Sequence, residues 1–129
     1  MKVLNAMELH GTDREVKCPN GGFISIRMLI KKDGMGFTMT RTTVHPTKEF
    51  QMWNYKHHLE ACYCIRGHGT LKNAAGKTWE IKPGIFYALD KHDQHYFKAK
   101  DTVILICTLT PALEGHEVHQ PDGSYKPSL

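Results

Sequence analysis

The stretch from Tyr55 to His95 gathers the residues best able to do chemistry. It opens as Tyr-Lys-His-His-Leu-Glu-Ala-Cys-Tyr-Cys-Ile and passes a glycine turn, Arg66-Gly67-His68-Gly69. It closes as Lys-Pro-Gly-Ile-Phe-Tyr-Ala-Leu-Asp-Lys-His-Asp-Gln-His. Nine histidines in 129 residues point to a metal or proton-transfer site. Glu60 lies between Leu59 and Ala61 on a core strand, where a carboxylate needs a partner. Cys62 and Cys64 share its strand face, and their small side chains leave room inside. Without a C-x-x-C pair they read as buried apolar residues, not as a bridge or a zinc knuckle. On residue type alone, Tyr87 reads as a packed core aromatic. His57 and His58 read as structural or surface groups, His68 as solvated, and His92 and His95 compete for one role.

The elements that must position these groups are short strands. Phe23 to Ile30 is rich in β-formers, and Lys31-Lys32-Asp33-Gly34 reads as a hairpin turn. Phe37 to Val44 returns, with Thr38, Thr40 and Thr42 on one face and Met39, Arg41 and Thr43 on the other. Residues 47 to 58 suit a loop or a short helical turn. Glu60 to Ile65, Lys77 to Ile81, Ile85 to Leu89, His95 to Ala99 and Val103 to Thr110 are further strands, separated by glycine turns. This spacing predicts an all-β barrel or sandwich of two packed antiparallel sheets. Residues 1 to 22 show no sustained period. The tail from Glu114 onward is irregular and polar, so it is either disordered or folded over something.

The length suits one domain over residues 1–129. No run of eighteen apolar residues suggests a membrane span, and the start, Met-Lys-Val-Leu-Asn-Ala-Met-Glu, lacks a signal-peptide core. A cytoplasmic location is expected, with Cys18, Cys62, Cys64 and Cys107 reduced. The formal charge of +4 is scattered. Without a basic stripe and stacking aromatics, no nucleic-acid partner is expected.

Glu60, followed at the cupin spacing by Gly67 and then by the Pro83-Gly84 turn, resembles the two-motif layout of the cupin superfamily. The first motif's two histidine places hold Asn54 and Lys56, and Tyr87 falls where a ligand histidine is usual. These departures are themselves a signature. Together with Gly-His-Glu-Val-His-Gln-Pro-Asp-Gly-Ser-Tyr in the tail, the motifs resemble the ectoine synthase family from the N-terminus to about Tyr125.

The resemblance implies a small cupin barrel and an iron held by Glu60, Tyr87 and His95. Such a mixed oxygen and nitrogen set suits Fe(II), with Zn(II) or Mn(II) as substitutes. It implies a substrate pocket of Phe23, Arg27, Thr40, Thr42 and Cys107, and catalytic roles for Tyr55, Asp93, Glu117 and His119. Phe23 and Thr40 stand where the family commonly has tryptophan and asparagine. Residues 114–129 are expected to close over the barrel mouth as a lid. The implied reaction is closure of an acetylated diaminobutyrate, a small amino-acid substrate, into a cyclic amidine with loss of water. A head-to-tail homodimer is implied as well. Two other readings use the same residues: a related metal-dependent hydrolase or cyclase acting on a different N-acyl amino acid, and a non-catalytic small-molecule-binding cupin.

Overall fold

The computed structural model describes residues 1–127. Ten strands account for the regular structure beyond two short 3₁₀ turns, Ala6–Leu9 and Lys31–Asp33. They are β1 (Glu15–Lys17), β2 (Phe23–Leu29), β3 (Thr38–Val44), β4 (Gln51–Trp53), β5 (Leu59–Arg66), β6 (Gly69–Asn73), β7 (Thr78–Ile81), β8 (Phe86–Leu89), β9 (His95–Ala99) and β10 (Val103–Thr110). All pairings are antiparallel. A six-stranded sheet runs β1-β2-β3-β10-β5-β8, and a four-stranded sheet runs β4-β9-β6-β7.

The expected all-β architecture of two packed antiparallel sheets is what folds. Three strands are not among those expected: β1, β4 and β6, the last a five-residue strand held between β7 and β9. β1 and β4 span three residues each and are stabilised by pairing with β2 and β9. The loop expected over residues 47–58 therefore contains a strand. The expected hairpin turn at Lys31 is a 3₁₀ turn ended by Gly34 in the left-handed region, at φ 79°. Asp33 holds this turn: its carboxylate accepts from the backbone of Ile30 and from Arg14 and Lys2.

The core fills the space between the sheets. Val44, Cys64, Phe97, Val103 and Leu105 from both layers are buried there. Gly67 shows why the turn after β5 takes glycine. Its φ is 85°, and a Cβ would strike the Thr102 carbonyl. No helix among the described residues is long and apolar enough to cross a membrane.

The chain after Pro111 has no regular structure, yet it is not loose. Leu113 N–H donates to Thr38 Oγ1 (2.7 Å), and Lys31 N–H donates to the Leu113 carbonyl (2.7 Å). Asn54 N–H donates to the Gly123 carbonyl (2.9 Å). Leu113, Ser124 and Tyr125 are buried. Through Pro127 the segment packs against the strands by these contacts; residues 128 and 129 lie outside the described part.

Candidate metal centre

Alternation along each strand aims one set of side chains inward, and strand register joins them into a row. Arg27 on β2 opposes Thr40 on β3, Thr40 opposes Cys107 on β10, Cys107 opposes Cys62 on β5, and Cys62 opposes Tyr87 on β8. Glu60 lies one inward position along β5, opposite Leu109 and Leu89. Together with Phe23, Ser25, Thr42, Trp53, Tyr55, His119 and Tyr125, these residues line a cavity of about 30 Å³. That is room for one or two water molecules.

His95 comes from β9 of the opposite sheet and, together with Tyr87, lines the neighbouring cavity. The His95 ring centroid lies 5.9 Å from those of Tyr55 and Trp53. His95 Nδ1 meets the Asp93 carbonyl at 2.9 Å. A carbonyl only accepts, so Nδ1 carries the proton and Nε2 keeps a lone pair, the form in which histidine binds metals. His95 Nε2 and Tyr87 Oη are buried with no hydrogen-bond partner. Two buried, unpartnered atoms on expected ligands are what a cation site presents. Burial raises the Glu60 carboxyl to about 7 and pushes the Tyr87 phenol well up, while it lowers His95. A bound cation would reverse the first two effects by favouring the anions. Glu60, Tyr87 and His95 therefore fit the hard, mixed donor set expected of them. A second candidate set overlaps it: the donor atoms of Glu60, Cys62 and Cys107 all lie within 4.8 Å of one another.

Tyr55, which is buried, and His119, which is half-buried, form a couple. Tyr55 Oη and His119 Nε2 are 2.8 Å apart. Burial pushes the Tyr55 hydroxyl far up, with smaller contributions from Tyr125 and Glu60. Burial, then the charges of Arg27 and His95, lower His119 to about 3. Both groups are neutral at pH 7. The His119 ring stacks on Tyr125 (4.5 Å) and Trp53 (5.9 Å).

Arg27 is fully buried. Nη2 donates to the Glu117 carbonyl (2.8 Å) and Nε to Ser25 Oγ (3.3 Å), while Nη1 makes no hydrogen bond. Thr40 and Thr42 share a hydroxyl hydrogen bond of 3.0 Å.

Two expected site residues sit differently. The Asp93 carboxylate lies on an exposed turn and accepts from Lys91 N–H; what Asp93 contributes inward is its backbone carbonyl. The Glu117 carboxylate accepts from the N–H groups of Glu114 and Gly115 and lies 3.7 Å from Arg27 Nη1. Burial opposes its ionisation, but those hydrogen bonds and Arg27 outweigh it, and the net shift is downward. Ser25, Trp53 and Tyr125 line the cavity without having been singled out, and Cys62, expected to leave room inside, lines it too. Strand alternation between Phe23 and Arg27 is a signal for Ser25. Trp53 and Tyr125 lie outside any periodic segment. His57 is exposed, whereas His58 is buried with both ring nitrogens unpartnered. His68 is exposed and pairs with Asp101. His92 adopts φ 52°, and its Nδ1 meets the Tyr55 carbonyl at 2.8 Å.

A family model described as ectoine synthase matches residues 1–128. An L-ectoine synthase of Desulfatibacillum aliphaticivorans is 44% identical over 126 residues, 97% of this chain and 96% of that one. The L-ectoine synthase of Halomonas elongata is 44% identical over 129 residues, covering 99% and 93%. The crystal structure of ectoine synthase from P. lautus superposes with a TM-score of 0.83 at 36% identity, covering 89% of this chain and 81% of that one. An RmlC-like cupin from Shewanella frigidimarina shares the fold alone, with a TM-score of 0.61 at 17% identity over 74% of this chain and 82% of that one.

Proposed function

The chain belongs to the ectoine synthase family, and from that premise we propose that it closes N-γ-acetyl-L-2,4-diaminobutyrate into the cyclic amidine ectoine. In this reaction the α-amine attacks the acetamide carbon of its own molecule, and the carbonyl oxygen departs as water. The observation that carries the reading is the pair of buried, unpartnered atoms on Tyr87 and His95, with His95 Nδ1 committed to the Asp93 carbonyl.

Glu60, Tyr87 and His95 would hold the cation, with Fe(II) matching the donor set best. When bound, it supplies Lewis-acid polarisation of the amide and stabilises negative charge at its oxygen. The remaining tasks fall to side chains of the chain itself. Arg27 Nη1, which makes no hydrogen bond and has only the Glu117 carboxylate 3.7 Å away, is placed to bind the substrate carboxylate. Phe23, Thr40, Thr42 and Cys107 shape the pocket. Folding the flexible substrate so that amine and carbonyl meet is worth about 7–11 kcal/mol in well-oriented intramolecular reactions. The Tyr55–His119 couple handles protons: it relays the two protons that the attacking amine nitrogen loses, one after the other, to the oxygen, which departs as water. Asp93 serves through its carbonyl, by fixing the His95 tautomer. Glu117 serves by seating the tail against Arg27.

The small size of the cavity supports a moving tail. A substrate many times larger than water cannot enter about 30 Å³ unless residues 114–129 lift and then close to exclude bulk water, which opposes dehydration. We place the enzyme in the cytoplasm, consistent with four free cysteines. We also assign it as a homodimer. Leu59, Tyr63, Ile65 and Phe86, exposed on the outer face of β5 and β8, offer apolar surface to a second copy.

The test is incubation of the iron-loaded protein with the acetylated diaminobutyrate, followed by proton NMR. Appearance of ectoine is expected. A folded, iron-loaded protein that leaves the substrate unchanged, or hydrolyses its acetyl group, would overturn the reading.

A further inference from the structure

The sheet row that carries the site holds two thiols side by side. Cys62 and Cys107 are direct cross-strand partners on β5 and β10. They are 2% and 4% exposed, and both are free. The Glu60 carboxylate completes a trio whose donor atoms lie within 4.8 Å of one another. Donors around one tetrahedral zinc, at bond lengths of about 2.3 Å for sulfur and 2.0–2.2 Å for oxygen, sit roughly 3.5–4 Å apart. The trio therefore needs only a slight contraction to close on an ion. The Tyr87 hydroxyl, buried and unpartnered, lies on β8 directly across from Cys62 and offers a fourth donor.

We propose that Glu60, Cys62 and Cys107 form a second binding mode at the barrel floor, specific for a thiophilic divalent cation of the zinc class and exclusive of iron. The two donor sets differ in chemistry. Carboxylate, phenolate and imidazole form a hard oxygen and nitrogen set, whereas two thiolates and a carboxylate favour Zn(II) or Cd(II). The sets share Glu60, and a cavity of about 30 Å³ cannot hold two dications apart. Occupancy of one excludes the other. Binding is balanced without electron transfer: two S–H bonds are lost, two metal–sulfur bonds form, and two protons pass to solvent. Zinc in this mode leaves His95 uncoordinated. It is thus not a like-for-like substitute for iron but an ion held towards the thiol side of the cavity. The zinc mode rests on the trio and its exclusion of iron on the ligand set proposed above; neither depends on the cyclisation reaction.

The direct test is X-ray absorption at the zinc edge on the full-length, metal-free protein loaded with one equivalent of Zn²⁺. Two sulfur neighbours at about 2.3 Å are expected; a shell of only nitrogen and oxygen at about 2.0–2.1 Å overturns the proposal. A second measurement uses Cys62→Val, which keeps a small apolar side chain at a buried position. Competition with a chromophoric chelator should show Zn²⁺ affinity falling at least ~10-fold and Fe²⁺ affinity changing by less than ~3-fold. Unchanged Zn²⁺ affinity, or an equal loss for both metals, overturns it. Should Cys62→Val not fold, the absorption spectrum of the unaltered chain decides alone.

Discussion

Acidification should unseat the tail, and His119 is the residue that makes it do so. In the closed structure its ring is sandwiched between Trp53 and Tyr125, faces Arg27 and His95, and contacts the Tyr55 hydroxyl. These surroundings lower its pKa from 6.5 to about 3. With the tail lifted, the ring returns to water and to its ordinary value. The open form then binds more protons than the closed one at every pH between those values. Closure is fully favoured above pH 6.5 and is lost progressively as pH falls through the window toward 3. Each unit of separation is worth about 1.4 kcal/mol, so pH 5 costs closure at most about 2 kcal/mol. Solvent screening at the partly exposed ring trims this to about 1–2 kcal/mol, roughly a five- to thirty-fold rise in the open fraction. A bound cation acts in the same direction. Hydrogen exchange at Gly123 and Ser124, whose amides donate within the tail, reads the equilibrium as a protection factor corrected for intrinsic rate. His119→Phe keeps the stacking and removes the titration. His58, packed edge-on against Tyr125 and also lowered by burial, contributes a slope of the same sign, so the variant should flatten the profile without abolishing it. Equal protection at pH 5 and pH 7.5, or an unaltered slope in His119→Phe, would refute the reasoning.

Three further outcomes follow from particular contacts. Tyr87→Phe removes the proposed phenol ligand and should weaken Fe(II) binding by more than the ~10- to 100-fold typical of losing a group that only orients a ligand, measured by chelator competition. Arg27→Lys forfeits the planar fork and should raise KM by about 30- to 150-fold, equivalent to 2–3 kcal/mol, in steady-state assays at saturating iron. Deleting residues 114–129 should leave a folded, metal-binding barrel with little turnover, checked by circular dichroism, metal content and ectoine formation.

Much of the strand framework is legible because half-buried strands alternate. β9, from His95 to Ala99, and β10, from Val103 to Thr110, have the bounds expected of them. β1, β4 and β6 are not legible: β1 and β4 are three residues long and cannot display a period, and β6 starts at Gly69 and runs into the Asn73 turn with Leu71 as its one large apolar side chain. Family motifs point to Glu60, Tyr87 and His95, and the buried, unpartnered atoms of Tyr87 and His95 fit that reading. The relation between Cys62 and Cys107 is hidden in the sequence. Forty-five positions separate them, and only the register of β5 against β10 makes them neighbours. Tyr125 is hidden for a different reason: glycine and proline punctuate the tail, so burial there follows tertiary contacts and no local pattern. Asp93 and Glu117 show a further limit. Their residue types suggest proton chemistry, but the Asp93 side chain caps a turn while its backbone carbonyl orients His95, and Glu117 spends its carboxylate on tail amides.

The account turns on one cation gathered by a carboxylate and a phenol from one sheet and an imidazole from the other. Anomalous diffraction at the iron edge, on crystals grown anaerobically with Fe(II), tests this most directly. A single peak within bonding distance of Glu60, Tyr87 Oη and His95 Nε2 is the result expected. A peak elsewhere, or an iron-replete protein with those three atoms unengaged, would contradict it.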